Sequence, residues 1–167
     1  MTYRYFAYGS SLEAAHFDEW AKEHGYARRL DDGRPAILDD HEVSLTVPSR
    51  HWMGAVGTIA PRSGASVYGV LFEVADEDAD MIRHKEGVAA GLFQEVDVEV
   101  RLWAPTLDEE STIQLFAARA FQAVPGRQPA QGSPTGPSRK WLDLTVRGAG
   151  AWGLPDLWQA ELKRLGR

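Results

Sequence analysis

Cysteine is absent from the 167 residues of this sequence. The absence excludes disulfide bonds, thiolate-bound metal ions and a cysteine nucleophile. It is usual in proteins that fold in a reducing compartment, and we therefore expect a cytoplasmic protein. The five histidines are scattered and form no HExxH motif. We therefore expect neither a metal ion nor another cofactor.

Long hydrophobic runs and clusters of basic residues are missing as well. The apolar stretch at the N-terminus is short and aromatic and has Arg4 as its one basic residue, which predicts neither a secretory signal nor a membrane span. Acidic side chains outnumber basic ones by 24 to 18, for a net charge of −6. No run of lysine and arginine is long enough to follow a phosphate backbone. Nucleic acid and membranes are therefore not expected as partners, and the oligomeric state is left open.

The residues that are present describe a globular protein, with 44% hydrophobic and 25% charged side chains. This length is enough for one well-buried domain and short for two, so we predict a single domain over residues 1–167. Aromatic and β-branched segments separated by proline and glycine predict strands. The predicted strands are residues 3–8, 42–47, 54–60, 67–74, 93–102 and 112–118.

Capping residues and apolar residues at helical spacing predict four helices. The first ends near Gly25, and the second, with acids in its first turn and bases in its last, ends at Glu86. Ser138 is the predicted cap of the third, and Pro155 opens the fourth. Residues 122–137 hold four prolines and three glycines and predict a loop, either a lid or a mobile excursion. The apolar residues predicted on one side of the fourth helix are Leu157, Trp158, Leu162 and Leu165.

Four blocks, spread over nearly the whole chain, carry a resemblance to a known family. Residues 5–12, YFAYGSSL, look like a YFAYGSNL signature with Ser11 where asparagine is usual. YGVLF at residues 68–72, EGVAAGLF at 86–93 and a block from PS to GLP at 137–155 follow in the family's order. Four ordered blocks are far more specific than one short motif. On these residues the chain resembles the γ-glutamyl cyclotransferase-like (AIG2-like) family.

This resemblance implies a fold and a set of site residues. The implied fold is α+β, a small mixed β-barrel or closed sheet with helices around it. The implied catalytic residue is Glu86. At Phe93 and Trp141 well-known relatives have tyrosines, so the hydroxyl group is missing at both positions here. The implied substrate-binding residues are Tyr8, Gly9, Ser10, Ser11, Leu12, Phe93 and Trp141.

The implied reaction is a ring closure within a small-molecule γ-glutamyl substrate. The α-amino group attacks its own γ-carbonyl carbon, which forms 5-oxoproline and releases an amine. Because that amino group has a pKa of roughly 8 and the leaving nitrogen must be protonated, one carboxylate could serve first as base and then as acid. We expect the helix C-terminus and burial to raise the pKa of Glu86, with Lys85 and Arg83 opposing this.

The turn at residues 9–12 is predicted to supply backbone N–H groups. They would bind either the oxyanion that develops on the γ-carbonyl oxygen or the α-carboxylate of the substrate. Taken alone, the same turn reads as a strand end followed by a helix cap, with Ser10 or Ser11 as the capping residue. The leaving group stays open among amino acids, amines and peptides, glutathione included.

Three other functions were weighed against this one. A non-catalytic binding module of the same fold, holding a γ-glutamyl or related small molecule, is favoured by the missing hydroxyls at Phe93 and Trp141. A dinucleotide site at the GxGxxG match of residues 148–153 is rejected, because Pro155 follows at once and the chain ends before an acidic ribose partner. A Ser-His-Asp hydrolase using Ser10 is disfavoured, because no GxSxG motif is present.

Overall fold

Five strands in the described part of the chain close into a barrel. The structure is a computed structural model that describes residues 2–27, 30, 32–106, 113–127 and 131–167. The order around the barrel is β1-β3-β2-β4-β5, with β1 pairing β3 antiparallel and β5 parallel. The α+β barrel expected from the resemblance is confirmed. The strands are β1 (Thr2–Ala7), β2 (Gly33–Ser49), β3 (Gly54–Ala75), β4 (Phe93–Leu102) and β5 (Leu115–Ala123).

Strands β2 and β3 are much longer than predicted, at 17 and 22 residues. Pro35, Pro48 and Pro61 lie inside them and do not end them. The two strands pair along their whole length, and two register shifts let the ladder bend around the barrel. Long-range strand pairing therefore overrides the tendency of proline to end a strand. The short strands predicted at 42–47, 54–60 and 67–74 are parts of these two strands.

Strand β4 has the predicted bounds, whereas β5 is displaced toward the C-terminus. The sequence predicted β5 over residues 112–118, and residue 112 lies outside the described residues. The observed strand continues to Ala123, which pairs with Phe93 at the start of β4. Since β4 offers a free edge over its whole length, β5 pairs along all of it and takes up the first residues of the predicted loop 122–137.

Four α-helices and two short 3₁₀ turns surround the barrel within the described residues. Helix α1 ends before Gly25, which has a φ of 79°. Leu157 was predicted on the buried side of the last helix and is instead 86% exposed. Trp158 and Leu162 lie four residues apart on one buried face, whereas Leu157 is rotated away from that face. The helices are α1 (Ala14–Glu23), α2 (Ala79–Lys85), α3 (Arg139–Ala151) and α4 (Asp156–Leu165), with 3₁₀ turns at Ser10–Leu12 and Asp76–Asp78.

Helix α3 packs on the first 3₁₀ turn and holds it in place. A methyl group at Gly148 would lie 2.5 Å from the carbonyl carbon of Leu12, so the helix and the turn touch through backbone atoms. The indole N–H of Trp152 donates to the Leu12 carbonyl at 3.1 Å. The turn after β1 is therefore fixed against the C-terminal part of the chain. No helix among the described residues is both long and apolar enough to cross a membrane.

Candidate active site

A cavity of about 300 Å³ lies between β1 and its following turn, the end of α2, and α3. This volume is at the lower end of the usual range for small-molecule sites. Eight residues were named from sequence as site candidates, and all but Leu12 line the cavity. The candidates that line it are Tyr8, Gly9, Ser10, Ser11, Glu86, Phe93 and Trp141.

Glu86 occupies the C-terminal end of α2, as predicted. Its backbone N–H donates to the Ile82 carbonyl at 2.9 Å, and Gly87 follows with a φ of 76°, which turns the chain away from the helix axis. Burial raises the pKa of the Glu86 carboxyl, and the hydrogen bond from Tyr5 and the charge of Lys85 oppose this rise without cancelling it. Arg83, which was also expected to oppose it, is turned toward Glu95 and binds that carboxylate at 2.6 Å.

Tyr5 is a site residue that the sequence reasoning missed. Its hydroxyl donates a hydrogen bond to Oε1 of Glu86, which lies 81 residues further along the chain. Burial and the neighbouring Glu86 carboxylate hold the pKa of Tyr5 well above its usual range, so the phenol keeps its proton. Strand alternation puts Tyr3 and Tyr5 on one face of β1, and Tyr3 likewise donates to a glutamate, Glu95, at 3.0 Å. The alternation was a usable signal, but it does not say which glutamate each tyrosine meets.

The turn after β1 presents fewer backbone donors than expected. The N–H of Leu12 donates to the Gly9 carbonyl at 3.0 Å, and the N–H of Glu13 donates to Ser10 at 3.2 Å. The Leu12 side chain is 1% exposed and packs in the core, so this residue does not line the cavity. The N–H groups of Gly9, Ser10 and Ser11 meet no acceptor among the described residues. These three N–H groups are the donors available for a ligand.

Two further details of this turn differ from prediction. The cap of α1 is Glu13, whose side chain accepts from the His16 N–H at 2.6 Å, rather than Ser10 or Ser11. The Tyr8 hydroxyl donates to the Phe121 carbonyl, and so it is used inside the protein. Both serines line the cavity.

Trp141 forms a wall of the cavity and is held tightly. Its side chain packs across Gly9 and Gly57, where an added methyl group would lie 2.7 Å and 2.4 Å from the ring. Ser138 caps α3 as predicted, since its hydroxyl accepts from the Trp141 N–H at 3.1 Å. Phe93, at the start of β4, lines the same cavity and is partly buried. Neither side chain brings a hydroxyl group to the site.

The predicted loop 122–137 takes no part in the cavity wall as far as it is described. Residues 128–130 lie outside the described residues, and none of 122–127 and 131–137 lines the cavity. Arg127 donates to the Ala90 carbonyl at 3.0 Å, and the Gly136 carbonyl accepts from the Ala55 N–H at 2.7 Å. In the described ranges, no group of three histidine, aspartate or glutamate side chains could hold a metal ion.

The barrel and its arrangement of helices define the fold class of the chain. A solved structure named gamma-glutamyl cyclotransferase superposes with a TM-score of 0.73 at 22% identity, over 98% of this chain and 87% of that one. A yeast structure described as a γ-glutamyl cyclotransferase specific to glutathione superposes with a TM-score of 0.61 at 14% identity, over 98% and 93%. The fold is therefore that of the γ-glutamyl cyclotransferases.

Sequence comparison gives the family. A profile of the AIG2-like family matches residues 66–162, and the chain belongs to that family. The human protein named gamma-glutamylcyclotransferase is 26% identical over 166 residues, which cover 98% of this chain and 79% of the human protein. The mouse protein of the same name is 25% identical over the same shares. The resemblance stated from the motifs is thus confirmed.

Proposed function

We propose that this protein is a γ-glutamyl cyclotransferase in which Glu86 is the general acid and base. One observation carries the proposal: the Glu86 carboxylate lines a small cavity, is hydrogen-bonded by a buried tyrosine, and has a raised pKa. A carboxylate of raised pKa is suited to both proton transfers of the reaction, because it can be ionised at one step and protonated at the next near neutral pH. The names of the relatives support the same activity.

In the proposed reaction, ionised Glu86 takes a proton from the α-ammonium group of the substrate. The freed amine forms a C–N bond to its own γ-carbonyl carbon, and negative charge develops on the carbonyl oxygen. Protonated Glu86 then gives its proton to the leaving nitrogen as the original amide bond breaks, and the ring nitrogen loses its second proton to water, which yields 5-oxoproline and a free amine. Tyr5 keeps its proton throughout and orients the carboxylate, because its own pKa is held high.

The turn after β1 supplies the electrostatic part of the proposal. The three backbone N–H groups of Gly9, Ser10 and Ser11 are without an acceptor in the described structure and border the same cavity as Glu86. Donors that are already aligned stabilise a developing oxyanion or hold a carboxylate without reorganisation during the reaction. Phe93 and Trp141 serve as walls that keep the glutamyl chain folded, and ring closure benefits strongly from such positioning.

The test is release of 5-oxoproline from γ-glutamyl amino acids, γ-glutamyl amines and glutathione, with Glu86→Gln beside the wild type. Glutamine keeps the shape and can still accept the Tyr5 hydrogen bond but cannot transfer a proton. We expect kcat to fall by roughly a hundredfold or more. Glu95→Gln is the matched control, since Glu95 accepts from Tyr3 in the same way and does not line the cavity.

Each result assigns a different function. Activity that survives in Glu86→Gln overturns the role of Glu86. If the wild type binds γ-glutamyl compounds and turns over none of them, the protein is a binding module of this fold, the alternative favoured by the missing hydroxyls at Phe93 and Trp141. If it binds none of them, the substrate class is wrong.

A further inference from the structure

The cavity changes character from its inner end to its rim. The residues around the inner end are Tyr5, Tyr8, Ser11 and Trp141, and all are buried. Further buried residues of the wall include Val56 and Phe121, whereas the more exposed part of the wall includes aromatic and basic side chains. The rim residues are Trp20, His24, His51, Trp52 and Lys85. A γ-glutamyl group that reacts beside Glu86 occupies the inner end, and so its leaving group extends toward this rim.

Lys85 is the distinctive residue of the rim. Its ammonium group lies 5.7 Å from the ring centre of Trp20 and 5.4 Å from that of Trp52, so two indole faces flank it. No carboxylate lies within 4 Å of it among the described residues. Burial lowers the pKa of Lys85, and the charge of Lys140 lowers it further, while Glu86 raises it. A bound carboxylate would offset this cost of burying an ammonium group.

The charges along the cavity favour an anion at that point. Glu86 is the one carboxylate that lines it in the described part of the chain. In the proposed reaction Glu86 is engaged with nitrogen atoms of the substrate and becomes protonated, so its negative charge is not available to Lys85 at that stage. The second lysine near the rim, Lys140, lies 5.5 Å from the ring centre of Trp52 and does not line the cavity.

We propose that Lys85, held between Trp20 and Trp52, binds a carboxylate of the leaving group. Lys85 is then the residue by which the site recognises the leaving group in a γ-glutamyl conjugate of an α-amino acid. In such a conjugate the carboxylate is one carbon away from the leaving nitrogen. That nitrogen must reach Glu86, the residue that follows Lys85 in the chain. This inference rests on the proposed cyclotransferase function and assigns a residue to its leaving-group specificity.

The test compares two substrates that differ in one charge, γ-glutamyl-alanine and γ-glutamyl-alaninamide. We expect the wild type to prefer the acid by at least tenfold in kcat/KM. Lys85→Gln loses at least tenfold on the acid and no more than about threefold on the amide, and Lys85→Arg keeps most of the preference. The ratio between substrates is the readout, because removal of Lys85 also shifts the pKa of Glu86 and does so equally for both.

Lys140→Gln is the matched control, because it removes a lysine from the same tryptophan without changing the cavity wall, and it should keep the preference. Equal losses on both substrates in Lys85→Gln overturn the proposal, since Lys85 would then act on Glu86 or on the glutamyl group. Equal turnover of both substrates by the wild type overturns it too. Absence of 5-oxoproline from both substrates and from the wider panel of γ-glutamyl compounds overturns the cyclotransferase function itself, and this inference with it. Turnover of other panel members but of neither substrate overturns this inference alone.

Discussion

At the scale of single residues, the hydrogen bond from Tyr5 to Glu86 shifts the pKa of the proposed catalytic group. The bond favours the ionised carboxylate and thus lowers the pKa of Glu86, against the larger effect of burial. Glu86 must be ionised to take the first proton, so kcat/KM should rise with pH as this group ionises. This rise is the acid limb of the pH profile. Its position on the pH axis shows how far burial raises the pKa of Glu86 and how far the Tyr5 hydrogen bond lowers it.

Tyr5→Phe should move the acid limb of kcat/KM to higher pH. The variant loses the bond that stabilises the carboxylate while burial remains, so Glu86 holds its proton longer. On the acid side of the profile, where Glu86 is still mostly protonated, we expect activity to fall roughly threefold to tenfold, the effect of one hydrogen bond of about 1 kcal/mol, and to recover at higher pH. Tyr3→Phe is the control, because Tyr3 serves Glu95 instead. If the acid limb of kcat/KM lies at the same pH in Tyr5→Phe as in the wild type, the prediction is wrong.

At the scale of elements, α3 and β3 meet at the wall of the site with no free space. Gly57 lies in β3, and a methyl group there would lie 2.4 Å from Cη2 of Trp141. The backbone of Trp141 is held by the Ser138 cap and by the bond of the Thr145 hydroxyl to its carbonyl at 2.7 Å. The ring also packs closely on Gly9. The ring therefore cannot move aside without disturbing the start of α3.

Gly57→Ala should accordingly cost both stability and activity. We expect the free energy of unfolding to fall by about 1–3 kcal/mol, as is usual for overpacking, and kcat/KM to fall because the wall moves. Gly150→Ala is the control inside α3, since its methyl group meets only the side-chain amide of Gln159, whose oxygen lies at 3.3 Å. That change should be neutral or stabilising by up to about 1 kcal/mol. Equal stability of the two variants in urea denaturation would contradict the close contact.

At the scale of the whole molecule, His16 of α1 packs against the chain between β2 and β3 and lies near charges from α2 and α3. Its ring lies 5.3 Å from that of Trp52, and its Nε2 atom is buried without a hydrogen-bond partner among the described residues. Burial lowers the pKa of His16 to about 4, and the nearby charges of Lys85, Lys140 and His51 add to this, while Glu13 opposes it. The native state thus requires a neutral imidazole.

This requirement makes the protein sensitive to acid. The stability that depends on neutral His16 is complete above pH 6.5, the unfolded value, and is lost as pH falls toward 4. His16→Phe should therefore gain about 1 kcal/mol relative to the wild type between pH 8 and pH 5, after allowance for solvent screening of a partly buried group. Urea denaturation at both pH values measures the difference. The same change at His41, outside this cluster, is the control, and equal behaviour of the two variants would contradict the prediction.

The sequence correctly predicted the strands and helix ends that depend on neighbouring residues. The alternation of valine with charged residues predicted β4 to the residue, and Ser138 and Gly25 marked helix ends correctly. The assignment of Glu86 came from the resemblance of its EGV block, and the helix end at that residue came from the acids and bases of α2. Local signals failed where pairing decided the outcome, as in the lengths of β2, β3 and β5.

The sequence by itself determined the family, the α+β class and seven of the residues that border the cavity, because these depend on motifs and on periodicity along the chain. Only the tertiary structure decided that Tyr5 meets Glu86, that Leu12 turns into the core, and that Lys85 lies between two tryptophans at the rim. Each of these contacts joins positions far apart in the chain. Barrel closure and helix packing bring such positions together, and no local pattern records which distant partner a side chain will meet.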